Sequence, residues 1–130
     1  VGVCRSFLDM AGADLSSLRG IINENFVYID LLKRVRARKI SGTAPMFGLY
    51  KEGEIDFLIN SRENYKTYGV EVKAGKSEGK TAQLLLRDQK VEAVYFFKGD
   101  TYGGISDKKI TVPIYLAGRV RFDFKNEQDV

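Results

Sequence analysis

Between Gly53 and Gly75 the chain reads GEIDFLINSRENYKTYGVEVKAG, and this stretch constrains the fold more than any other. Two runs rich in β-branched and aromatic residues flank a polar loop, which is the pattern of two strands. Strand side chains alternate between the two faces of a sheet. Val70 and Val72 therefore point one way while Glu71 and Lys73 point the other, and Asp56 falls opposite Ile55, Phe57 and Ile59. If the strands are antiparallel neighbours, two carboxylates and one ammonium meet on one side of a sheet whose other side is a core. Carboxylate oxygens are the hard ligands that Mg²⁺ takes, one or two at a time, with water completing the shell. A lysine beside them can hold a phosphate or help activate a water. A strand with one wet face shows the same alternation for no functional reason, so an E-x-K triplet needs support from the rest of the chain.

Composition removes several alternatives. The 130 residues make one ordinary domain, with 44% hydrophobic and 29% charged residues, a globular balance. No apolar run has the length of a membrane span. Nothing at the start has the form of a signal peptide, and a chain opening on Val1 reads as part of a longer protein. One cysteine, Cys4, excludes an internal disulfide and a multi-cysteine zinc site, and suits a reducing cytoplasm. The absence of histidine excludes Ser-His-Asp and Cys-His mechanisms and every histidine metal site. Any catalysis here uses carboxylates, lysine, tyrosine or a hard metal ion. A net charge of +4 is compatible with a polyanionic partner. Its clusters are Lys33, Arg34, Arg36, Arg38 and Lys39 in one place and Lys73, Lys76 and Lys80 in another, so Lys33, Arg34, Lys76 and Lys80 are candidates for nucleic-acid contacts.

Taken in order, Val1–Met10 reads as a short apolar strand or turn, and Asp14 or Ser16 as the cap of a helix. From Ile21 to Val35 the spacing is helical, with Ile21, Tyr28, Leu31, Leu32 and Val35 on one face. Glu24 falls in the same stripe. A carboxylate there is costly unless it is paired or binds a metal, and both readings, a local ion pair and a ligand, stand. The basic residues that close the helix suit its C-terminal dipole. Strands are expected at Met46–Tyr50, from Glu54 to Asn60 and at Thr67–Ala74, with a turn at Lys51–Gly53. A helix follows from Thr81 to Lys90, then a buried strand Val91–Phe97, a loop Gly99–Lys109, and a last strand in ITVPIYL whose Pro113 argues for an edge. This order, helix, three-strand meander, helix, strand, strand, predicts an α/β fold with a mixed sheet. One competing motif stands in AGKSEGKT, Ala74–Thr81, a loosened phosphate loop with Gly79-Lys80-Thr81 before a helix. Against it, the preceding strand carries charges and no later strand ends in a magnesium-binding aspartate.

Glu24 on a helix, Asp56 on a hairpin strand and Glu71-Val72-Lys73 on the next strand together resemble the constellation of the PD-(D/E)XK, or restriction-endonuclease-like, nucleases. INENFVYIDLL, GEIDFLI, VEVKAG and ITVPIYLAGRV, in that order, are similar to the C-terminal domain of unknown function that follows the ATPase module in many prokaryotic AAA+ ATPases, and VGVCRSFL resembles its beginning. Ile55 replaces the proline that gives the superfamily its name, and Gln83 begins a QLLLR run without the tyrosine found four residues after a helical glutamine in some branches. The resemblance implies a mixed sheet flanked by helices, with Asp56 and Glu71 as ligands of Mg²⁺ or Mn²⁺. It makes Lys73 the residue that orients or activates water and Glu24 an auxiliary ligand or base. It also implies phosphodiester hydrolysis of DNA and an ATPase module in the same parent chain. A catalytically silent docking module of the same fold is the alternative.

Overall fold

The computed structural model describes residues 15–73, 79–99 and 102–125. The expected opening strand, the Asp14 cap and the end of the third strand at Ala74 lie outside them. The described elements are α1 (Leu15–Arg36), β1 (Met46–Tyr50), β2 (Gly53–Asn60), β3 (Thr67–Lys73), α2 (Lys80–Arg87), β4 (Ala93–Lys98), β5 (Gly104–Ser106), β6 (Lys109–Pro113) and a 3₁₀ turn, Ile114–Arg119. Ser16 lies inside α1, so it does not cap the helix. The strands form one mixed sheet in the order β1-β2-β3-β4-β6-β5. The first three make the expected antiparallel meander, and β4 and β6 run parallel to β3. The protein is an α/β fold with helices on both faces of a mixed sheet. Among the described residues no helix is long and apolar enough to cross a membrane.

Two hydrophobic cores result, one under each helix. Val27, Leu31 and Val35 of α1, spaced four apart, pack on Phe57, Ile59, Tyr68, Val70, Tyr95 and Phe97. Under α2, Ala82 and Leu85 meet Ile55, Val94 and Phe96. The buried stripe of α1 is thus narrower than the helical spacing alone indicated. Ile21 is 46% exposed, and Glu24 is exposed as well. In the N-terminal half of the helix Leu18 is buried, while Ile21 and Glu24 face outward.

The C-terminal third departs most from expectation. The segment expected as loop contains β5, which hairpins onto β6 and takes the edge. Pro113 still sits where a ladder donor is not needed, because β5 pairs only as far as Thr111. ITVPIYL does not continue as a strand: Ile114–Arg119 is a 3₁₀ turn. α2 ends at Arg87, earlier than expected, where Gln89 turns left-handed (φ 56°) and Lys90 N–H closes the helix on Leu85 C=O.

Beyond the 3₁₀ turn the chain returns across the α1 side as a strap. Arg34 of α1 donates to the carbonyls of Ala117 (2.8 Å) and Val120 while pairing with Asp30 at 2.9 Å. Tyr95 and Tyr68 donate their hydroxyls to the carbonyls of Arg121 (3.1 Å) and Phe124 (2.8 Å). Phe122 is buried between them, edge-on to Tyr95 at 4.8 Å, with the Arg34 guanidinium 5.0 Å over its ring. Burial raises the Tyr95 hydroxyl to about 12, so it remains a donor throughout the neutral range. Phe122→Ala is expected to cost about 3–5 kcal/mol in urea denaturation, because it empties the space into which the strap is anchored. A loss under 1 kcal/mol would show that the strap contributes little to the fold.

Candidate metal centre

The β2–β3 ladder runs from Asn60↔Thr67 to Phe57↔Val70 and stops there. The next residue of β2 is Asp56, and its side chain replaces the missing backbone partner: Oδ2 accepts the Val72 N–H at 2.7 Å. A strand N–H points along the sheet, so this carboxylate lies in the plane of the sheet, in the fork between β2 and β3. Strict alternation had placed it on a face. The reason is a bulge. On β1, Met46 pairs with Leu58 and Gly48 with Ile55, so two residues of advance oppose three on β2. Ile55 consequently joins the α2 core while Phe57 joins the α1 core. Gly48 and Gly69 leave room for this, since a Cβ on either would lie under 3 Å from the Ile55 side chain.

Glu71 does point away from Val70 and Val72, as alternation requires, but its face is not wet. It is only 2% exposed, roofed by the start of α2, where a Cβ on Gly79 would stand 3.3 Å from its carboxyl group. Lys73 Nζ lies 3.0 Å from Glu71 Oε2 as an ion pair, and among the described residues that buried oxygen meets no donor in hydrogen-bond alignment. Burial first, and then the Asp56 charge, push the Glu71 carboxyl above its ordinary range against the opposing pull of Lys73 and of the Asp56 backbone N–H. For Lys73, burial works to lower the ammonium, but Glu71, Asp56 and Glu24 outweigh it and the pKa rises. Lys73 is therefore a firm cation at neutral pH.

Glu24, on α1, feels the charges of Asp56 and Lys73. It lines a shallow groove with Ile21, Asn25, Tyr28 and Phe57. Although exposed by its own surface, the groove walls remove enough water to raise its pKa, with Asp56 adding to the rise and Lys73 opposing it. The fork is what lets a residue from the α1 face and two from the α2 face act on one carboxylate. Glu24, Asp56, Glu71 and Lys73 are electrostatically one group.

The other candidate residues have separate positions. Lys33 is exposed on α1. Arg34 uses all three guanidinium nitrogens inside the protein, on Asp30, Ala117 and Val120. Lys80 is exposed in the first turn of α2, and Lys76 lies outside the described residues. Thr81 is buried against Gly53, where a Cβ would lie 2.0 Å from its hydroxyl. With Thr81 turned inward and the Glu71 carboxylate against Gly79, the described end of the phosphate-loop motif presents a carboxylate where a phosphate would need donors.

Among the described residues no three His, Cys, Asp or Glu side chains gather closely enough to hold an ion by themselves. Mg²⁺ does not need three, since it keeps several waters and takes one or two carboxylates. Asp56 and Glu71 supply hard oxygens only, and a buried oxygen without an aligned donor is the kind of group a cation satisfies. The donor set fits a hard divalent ion. Sequence reasoning missed the bulge at Asp56; the clue was Gly48, a glycine inside a strand. The chain matches no family model, no curated protein and no solved structure.

Burial of Glu71 has a consequence for stability. Its pKa is raised on folding, so its contribution to stability is fullest below the unfolded value, near 4.5, and is lost as pH rises through the folded value. Glu71→Gln should therefore make the metal-free protein more stable than wild type at pH 7, by about 0.5–2 kcal/mol, with the difference fading toward pH 4. Urea midpoints across that range measure it. A Gln variant less stable at pH 7 would mean that the ionised carboxylate supports the fold.

Proposed function

We propose that this domain is a metal-dependent phosphodiesterase of the PD-(D/E)XK type, acting on DNA with Mg²⁺ or Mn²⁺. The observation that carries the reading is the fork, where Asp56 in the sheet plane, Glu71 and Lys73 from one face and Glu24 from the other act on one another. Asp56 and Glu71 would hold the ion through carboxylate oxygens. A cation bound there activates water and neutralises charge on the phosphate. Lys73, kept protonated by its acidic neighbours, serves as a positive donor to a phosphate oxygen or to the attacking water, not as a base. Glu24, exposed and with its pKa raised, is the residue suited to take the proton that water gives up as its oxygen bonds to phosphorus and the ester P–O bond breaks. Motif order along the chain supports a place behind an ATPase module in a longer prokaryotic, cytoplasmic protein, which would bring the nucleic acid to the site.

One observation favours a silent docking module instead: Glu71 already has an ion-pair partner in Lys73, and buried pairs persist for structural reasons. Plasmid cleavage separates the two readings. Wild type should nick or cut with Mg²⁺ or Mn²⁺ and not with EDTA. Asp56→Ala and Lys73→Ala should each lower the rate by at least about 100-fold, the scale of lost electrostatic catalysis, with circular dichroism unchanged. Folded variants that cut as fast as wild type would refute the assignment, as would wild type that never cuts.

A further inference from the structure

Among the described residues, the α2 face of the sheet is only half roofed. α2 has eight residues and covers Ile55 and Val94. Beyond them β4, β6 and β5 enclose an open groove of about 350 Å³ lined by Phe96, Lys98, Tyr102, Ser106, Lys109 and Thr111. Its rows lead to the metal centre. Lys73 is in register with Lys98, and Glu71 with Phe96, which is in register with Thr111. Adjacent strands are about 4.8 Å apart, so Lys98 stands one strand from Lys73 and Thr111 two strands from Glu71. On the next row Lys109 faces Ser106. Among the described residues, the lining carries two cations, Lys98 and Lys109, two hydroxyls, Ser106 and Thr111, and one carboxylate, Asp107. Tyr102 stands at the rim with 96% of its surface exposed.

We infer that this groove is a track for single-stranded DNA that delivers one strand to the fork. This rests on the reading of the fork as a phosphodiesterase centre, which needs a backbone phosphate beside Lys73. Lys98 and Lys109 match the phosphates in charge, and Ser106 and Thr111 offer hydroxyl donors. Tyr102 offers a ring on which a base stacks. The ring decides between strands: a groove of this volume takes a nucleotide unit, and a base paired inside a duplex does not present its face to Tyr102.

The test measures binding apart from cleavage. Fluorescence anisotropy of a labelled oligo-dT, a duplex and an oligo-rU of equal length is followed in EDTA with wild type, Lys98→Ala/Lys109→Ala, Tyr102→Ala and Asp56→Asn. The inference expects oligo-dT to bind more tightly than the duplex or oligo-rU. The double lysine variant should lose at least tenfold in affinity and about 1.4 from the slope of log K against log salt, at 0.7 per phosphate contact. Tyr102→Ala should lose about 5- to 100-fold. Asp56→Asn should bind like wild type. Tighter binding of duplex or oligo-rU overturns the inference, as does oligo-dT binding that ignores both sets of groove substitutions, or no oligo-dT binding at all. Groove-dependent binding by a protein that never cleaves leaves the track standing and removes the catalytic reading. Cleavage that survives the groove substitutions unchanged, with unchanged binding, does the reverse.

Discussion

A side chain standing in for a backbone carbonyl organises this protein's candidate site. Where β2 and β3 part, the Val72 N–H would be left without a partner inside the sheet, and an unpaired buried N–H is costly. Asp56 supplies the acceptor at 2.7 Å and, in doing so, is held in the sheet plane. From that position it interacts with groups on both faces. Glu24 comes from the helix over one core, and Glu71 and Lys73 from the face that forms the other. A carboxylate on either face alone would be screened from the opposite side by packed side chains.

Placing Glu71 under the first turn of α2 is an expensive choice for a carboxyl group. An apolar residue would fill the same space without a charge to desolvate. The N-terminal end of a helix favours negative charge, and Lys73 offsets part of what remains. The compensation is incomplete, as the raised pKa records. A functional site commonly gives up stability in this way to keep its groups ready.

The two faces of the sheet are treated unequally. One carries the 22-residue α1 and is closed further by the strap that Arg34, Tyr68 and Tyr95 hold down. The other carries an eight-residue helix and, among the described residues, stays open over β4, β6 and β5. The closed face is where the larger core lies. The open groove lies on the same face as Glu71 and Lys73, one to two strands away.

Local pattern was enough to place the meander and both helices, because apolar periodicity of two or 3.6 residues reports which face each element buries. It also singled out Glu24, Asp56, Glu71 and Lys73, because charged residues inside apolar runs are conspicuous in a sequence. It misplaced the end of ITVPIYL, where Pro113 stops the ladder and the following apolar residues turn as a 3₁₀ helix instead. It also missed β5, three exposed residues whose pairing with β6 is the only reason they are a strand. Alternation assumes an unbroken pleat, so it could not foresee that one extra residue in β2 would turn Asp56 out of a face and into the plane. That bulge arises from packing Ile55 against Gly48 and Gly69, which are distant from each other in the chain. The kinds of chemistry open to this protein were settled by its residues alone, with no histidine and a single cysteine among 130. Which of its acids share one field was decided only in three dimensions, because contacts between separate strands determine where a side chain ends up.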